Sequence, residues 1–212
     1  MDLKYFNLDN IESMEKNYRI AFINSLGGFK SIALIGTSDN QGQNNLAIFS
    51  SVLHLGSSPP FYGVIIRPGL VERHTLGNII ETGFYTMNHI NEDIYKQAHQ
   101  TGARYPKNVS EFDKIGLTPE YHSLIKAPYV KESNVKFGLQ LVEKIDIKIN
   151  NTVLLIGKVI EAFIPENCIL EDGFIDLEQA KSLTLSGLDS YHKTKKVGRL
   201  SYPKIYEPPV EI

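Results

Sequence analysis

The chain is expected to be mainly β with helical insertions, closed as an antiparallel barrel. Short apolar, β-branched-rich runs punctuated by turn residues supply about six or seven candidate strands. Helical segments fall at irregular places instead of after every strand, which disfavours a doubly wound parallel sheet. An antiparallel chain of this kind would expose sheet edges unless it closed on itself.

Ser31 to Thr37 (SIALIGT) and Asn45 to Leu55 (NLAIFSSVLHL) flank the turn-forming cluster Ser38-Asp39-Asn40-Gln41-Gly42 and read as a hairpin, with Gly27-Gly28 as a turn before it. Phe61 to Arg67, bounded by Pro59-Pro60 and Pro68-Gly69, reads as a buried strand with abrupt ends. Leu76, Ile79 and Ile80 then stand at helical spacing, closed by Gly83, and Phe84 to Ile90 returns to a strand. Asn91 to Thr101 and Ser110 to Ile115 read as helices covering one sheet edge, the second capped by Ser110 and ended by Gly116. Val135, Phe137, Leu139 and Leu141 alternate, followed by the runs Val142 to Ile149 and Thr152 to Ile164.

With 212 residues, 42% hydrophobic and 22% charged, the chain is expected to be one domain spanning residues 1–212. A net charge of −2 leaves no basic stripe for nucleic acid, and the run from Lys193 to Arg199 is too short to supply one. The polar N-terminus and the lack of a long apolar window predict no membrane partner and a cytoplasmic location, which the single Cys168 suits. The six histidines never fall at metal-ligand spacing, so no metal is expected. Nucleophile-elbow, P-loop and dinucleotide-binding glycine motifs are also missing from the sequence.

One corner combines three anion-binding devices. Arg67 ends a strand, Pro68-Gly69 turns the chain, and a helix opens near His74 and Thr75. A guanidinium, a hydroxyl and the unpaired N–H groups of a helix start together suit a phosphate. The same spacing equally permits an Arg67–Glu72 pair with Thr75 as a simple cap. Ser50-Ser51 interrupts an apolar strand, either to let a flat ligand approach the backbone or as a bulge or exposed serine pair on an edge.

The ordered set Asn45 to Ser51, Pro59-Pro60, Ile66-Arg67-Pro68, Arg73-His74-Thr75-Leu76, Glu81-Thr82-Gly83, Asn88-His89, Glu111-Phe112, Gly116 to Pro119, Ala127-Pro128, Glu132-Ser133, Gly157 to Val159, and Gly187 with Tyr191 resembles the flavin-reductase-like, FMN-binding split-barrel family, flavoredoxin-like proteins included. The likeness covers residues 20–202. It implies a Greek-key split barrel binding FMN non-covalently, as a homodimer with the flavin near the subunit interface. Carried over by position, Arg67 and Thr75 would hold the phosphate with His74 nearby, and Asn45 would support the flavin-binding strand. Phe49, Ser50, Ser51 and Val52 would line the ring, and Tyr191 and Arg199 would contact cofactor or donor, unless the segment to Arg199 is simply a solvated basic tail.

The implied activity is that of an oxidoreductase passing hydride or electrons from NADH or NADPH through FMN to an acceptor. Family members often carry Gly-Asp-His before the last barrel strand, where this chain reads Asn150-Asn151-Thr152. That departure favours an alternative, an FMN-dependent electron carrier reduced by a redox protein partner. A barrel without any cofactor is the third reading.

Overall fold

The computed structural model describes residues 1–69, 74–122 and 124–212. The strands in chain order are β1 (Ala33–Ser38), β2 (Asn44–Phe49), β3 (Val52–Ser57), β4 (Pro60–Ile66), β5 (Phe84–His89), β6 (Pro119–Glu120), β7 (Tyr129–Val130), β8 (Lys136–Ile147), β9 (Thr152–Phe163), β10 (Thr184–Ser186) and β11 (Ser190–His192). The helices are α1 (Leu8–Glu12), α2 (Lys16–Leu26), α3 (His74–Thr82), α4 (Tyr95–Gln100) and α5 (Glu111–Ile115). Seven strands form one antiparallel sheet in the order β2-β1-β5-β8-β9-β4-β3. β6–β7 and β10–β11 are separate small hairpins.

The expected first hairpin forms, with Ala33 opposite Phe49 and Ser38 opposite Asn44. Its turn is held by Asp39, whose carboxylate accepts from the N–H groups of Gln41 (3.0 Å) and Gln43 (2.9 Å), with Gly42 at φ +84°. The apolar run from Asn45, however, is two strands. It breaks at Ser50-Ser51, where the chain steps from β2, one edge of the sheet, into β3, the other edge. Ser51 then joins the neighbouring β4: its hydroxyl donates to Ile65 O (2.8 Å) and its carbonyl accepts from Ile65 N (3.0 Å). The two edges are thus linked through two residues, and the sheet curls into a barrel split at that junction.

β1 lies between β2 and β5, and all six of its residues are buried, which explains why the run from Ala33 to Gly36 is apolar throughout instead of alternating. Neighbours on it still face opposite ways. Ile35 points into the barrel with Val64, Ile79, Tyr85, Leu139 and Leu155, while Leu34 joins Leu46, Ile90, Phe112, Val130 and Leu185 outside it. That outer core is where α4 and α5 cover the edge strand β2, as expected. The runs before and after Val142 are one strand, β8, because a register shift between Leu141 and Glu143 absorbs the change of phase.

Several expectations need correction. Asn91 does not begin a helix: its side-chain oxygen accepts from Asp93 N (3.0 Å) in a local turn, and α4 starts only at Tyr95. Ser110 occupies the cap position of α5, but its buried hydroxyl makes no hydrogen bond among the described residues. Gly83 (φ +76°) and Gly116 (φ +72°) do end α3 and α5 in left-handed turns. α1 and α2 were not anticipated, because α2 buries none of its residues and so carries no clear apolar stripe. Side-chain caps define both helices, Asn7 with Asn10 on α1 and Glu15 on α2.

Tyr85 is fully buried, and its hydroxyl finds no hydrogen-bond partner among the described residues. It packs over Gly157 of β9, where a Cβ would strike that hydroxyl. A buried polar group without a partner costs about 1–3 kcal/mol. Tyr85→Phe is therefore expected to raise stability by about 1 kcal/mol in urea unfolding. A loss of that size would show instead that the hydroxyl is satisfied.

Candidate functional site

A cleft of about 920 Å³ opens at the split. One wall is β2 and the step beyond it, with Asn45, Phe49, Ser50 and Ser51. The end of β4 adds Ile65, Ile66 and Arg67, and the start of α3 adds His74 and Thr75. The lining also takes in His99 to Pro106, Glu111, and Leu185 and Leu188 near the β10–β11 hairpin.

Arg67, His74 and Thr75, the corner expected to hold an anion, all line the cleft, the last two at the start of α3. Arg67 is exposed and donates to Asn24 Oδ1 at 3.2 Å. Glu72, the alternative partner for Arg67, lies outside the described residues, as does Arg73. Thr75 is only 5% exposed, and its hydroxyl accepts from Asn45 Nδ2 at 3.0 Å. That bond uses a lone pair of Thr75 and leaves its proton for a ligand oxygen. Asn45 Nδ2 also reaches Thr37 Oγ1 (3.3 Å), which accepts from Asn78 Nδ2 of α3 at 3.1 Å. This buried network ties β1, β2 and α3 together behind the corner.

The other expected residues sit apart from it. Val52 is half-buried against the barrel core and does not line the cleft. Tyr191 is not in the lining; its hydroxyl lies 2.9 Å from Nδ1 of the lining residue His99 and its ring 5.4 Å from that of Tyr95. Burial, reinforced by Asp189, pushes its phenol up to about 12. Arg199 pairs with Asp172 at 2.5 Å and lies over the Phe174 ring at 4.1 Å, away from the cleft lining. The basic run around it is engaged locally, Lys193 with Glu92 and Lys196 with Asp176.

Glu111 belongs to the Glu111-Phe112 pair of the family resemblance, and its sequence position alone signals no further role. It is 5% exposed in the cleft wall, and its carboxylate accepts from Leu46 N at 2.9 Å. α5 thereby satisfies an outward N–H of the edge strand β2, a partner that only the folded chain reveals. Burial pushes the Glu111 carboxyl above its ordinary value, against the opposing pull of backbone N–H donors and the His74 charge. Among the described residues, no His, Cys, Asp and Glu cluster suits a metal ion, and no helix is long and apolar enough to cross a membrane.

An antiparallel barrel split at one strand junction, with a cleft at the split, defines a split-barrel protein. The flavin reductase like domain matches residues 26–175, and the chain belongs to that family. It is therefore a flavin-related oxidoreductase or electron carrier. A crystal structure from Shewanella frigidimarina NCIMB 400, assigned as a flavin reductase with a split barrel domain, is 50% identical with a TM-score of 0.91, covering 94% of this chain and 100% of that one. Nitrilotriacetate monooxygenase component B from Bacillus cereus is 23% identical with a TM-score of 0.81, over 94% and 100%. The flavoredoxin of Desulfovibrio vulgaris (Miyazaki F) is 22% identical with a TM-score of 0.70, over 84% and 92%. The last two share the fold.

The raised Glu111 value has a definite sign. The folded protein holds that proton more tightly than the unfolded chain does. The resulting stabilisation is complete below the ordinary value of 4.5 and is lost as pH rises through the higher folded value. Glu111→Gln keeps an acceptor for Leu46 N but does not titrate. Measured as the stability of the wild type minus that of the variant, the difference should fall with rising pH across that window. A flat difference would contradict the burial of an ionising carboxyl.

Proposed function

We propose that the cleft binds FMN non-covalently and that the protein is an oxidoreductase moving electrons from NADH or NADPH through the flavin to an acceptor. The observation that carries this reading is the corner formed by Arg67, His74 and Thr75 beside the Ser50-Ser51 step. One guanidinium, one hydroxyl with its proton to spare, and the start of a nine-residue helix suit a single terminal phosphate. Ser50 and Ser51 keep the adjoining wall low enough for a flat ring to reach the main chain, while Phe49, Ile48 and Ile65 exclude water beside it. When bound, the flavin supplies the hydride and electron chemistry; the chain binds, orients and shields it.

A second reading has its own support. Asn150-Asn151-Thr152 forms the tight β8–β9 turn, where Asn150 Oδ1 accepts from the hydroxyl (2.8 Å) and the N–H (3.2 Å) of Thr152, and Asn151 is left-handed at φ 56°. No imidazole stands there to meet a nicotinamide, which favours an FMN electron carrier reduced by a protein partner. The homodimer belongs to the same proposal. Its support is the apolar surface of Tyr18, Ile23 and Leu26 on α2 and of Tyr202, Ile205 and Tyr206 near the C-terminus, all more than 45% exposed.

Anaerobic titration of the FMN-loaded protein separates the two readings. Bleaching of flavin absorbance by NADH or NADPH supports the reductase, and bleaching by dithionite alone supports the carrier. Arg67→Ala should weaken FMN binding by about 2 kcal/mol, or roughly 30-fold, through loss of charge-assisted bonds. Equal FMN affinity in the variant would sink the phosphate assignment.

A further inference from the structure

Arg67 stands exposed at a strand end, so its guanidinium needs an external hold to keep one direction. That hold comes from α2. Asn24 Oδ1 accepts from Arg67 at 3.2 Å, and Asn24 Nδ2 donates to Ile20 O at 2.8 Å. Only the amide nitrogen can make the second bond, which leaves the oxygen side for Arg67. The main chain of Asn24 is held as well. Its carbonyl accepts from Lys30 Nζ at 3.3 Å, and the same ammonium donates to Gly187 O at 2.5 Å, in the turn between β10 and β11.

Two cations therefore meet at this corner. After burial, the nearby Arg67 charge is the second cause that lowers the Lys30 pKa. Repulsion of this kind would turn an unanchored guanidinium towards solvent. A neutral amide oxygen holds it without cancelling its charge, whereas a carboxylate would compete with any arriving phosphate. α2 buries no residue, so polar contacts such as this one must help to fix where it sits. Residue 24 also precedes the 26–175 stretch that defines the family.

We propose that Asn24 is a positioning residue of the anion site: its amide oxygen holds the Arg67 guanidinium at the cleft wall and leaves the remaining guanidinium donors to a phosphate monoester. This rests on the reading of Arg67 as a phosphate ligand. Asn24 acts through Arg67 and not on the flavin ring.

The test is fluorescence titration of FMN and of riboflavin, which lacks the phosphate, against wild type, Asn24→Ala, Asn24→Asp, Arg67→Ala and the Asn24→Ala/Arg67→Ala double variant. Loss of a side-chain anchor is expected to weaken FMN binding roughly three- to tenfold in Asn24→Ala and to leave riboflavin binding unchanged. Asn24→Asp should weaken FMN binding further, because its carboxylate competes for the guanidinium. In the Arg67→Ala background, Asn24→Ala should have no additional effect. Equal losses for FMN and riboflavin, undiminished FMN affinity in Asn24→Ala, or additive losses in the double variant would each overturn the assignment. Wild type that binds no FMN would overturn the proposed function itself; wild type that binds FMN while Asn24→Ala matches it would overturn this inference alone.

Discussion

Ser50 and Ser51 impose the constraint on which the rest of the structure depends. Phe49 ends one edge strand and Val52 begins the other, and three trans peptide steps span at most about 11 Å. A flat sheet of seven strands at about 4.8 Å spacing would hold its edges nearly 29 Å apart. The sheet must therefore roll until its edges meet. Ser51 completes the join on one side through its two bonds to Ile65, while among the described residues β2 pairs only with β1. The barrel is closed through the chain and open in its hydrogen bonding, and the cleft lies in that gap.

This explains why the candidate site is built from strand ends. Ile65, which receives Ser51, is two residues from Arg67, so the junction and the guanidinium share one wall. On the β2 side, Asn45 faces inward to Thr37 and Thr75, which sets α3 against β1 and β2. On its outer edge the same strand gives Leu46 N to Glu111 and so draws α5 against β2. Each polar contact gives a buried or edge group its partner, and in doing so it fixes a part of the site.

The β framework was legible because its signals are local. Asp39 and Gly42 mark a turn, Pro68-Gly69 ends a strand, and Gly83 and Gly116 end helices through their own backbone geometry. The serine pair was legible as an interruption, but its meaning depended on which strands it joins, a long-range fact. Glu111 and Asn24 escaped for the same reason, since their partners lie 65 and 43 residues away. Tyr191 and Arg199 show the converse. Residue type and order placed them near the site, while His99, Asp172 and Phe174 decide what they touch.

The cleft has walls of two origins. Residues 26–175 supply the barrel, the split and the Arg67–Thr75 corner, and these are the parts that membership of the family predicts. The flanking segments finish the cleft: Asn24 holds Arg67, Leu185 and Leu188 add to the lining, and Tyr191 braces His99. Lys30 bonds to both flanks at once, through Asn24 O and Gly187 O. Chemistry that comes with a flavin needs only the first set of walls, because the cofactor carries it. What else can reach the flavin depends on the second set, so relatives that share the barrel but differ in these flanks can share a cofactor and still serve different electron partners.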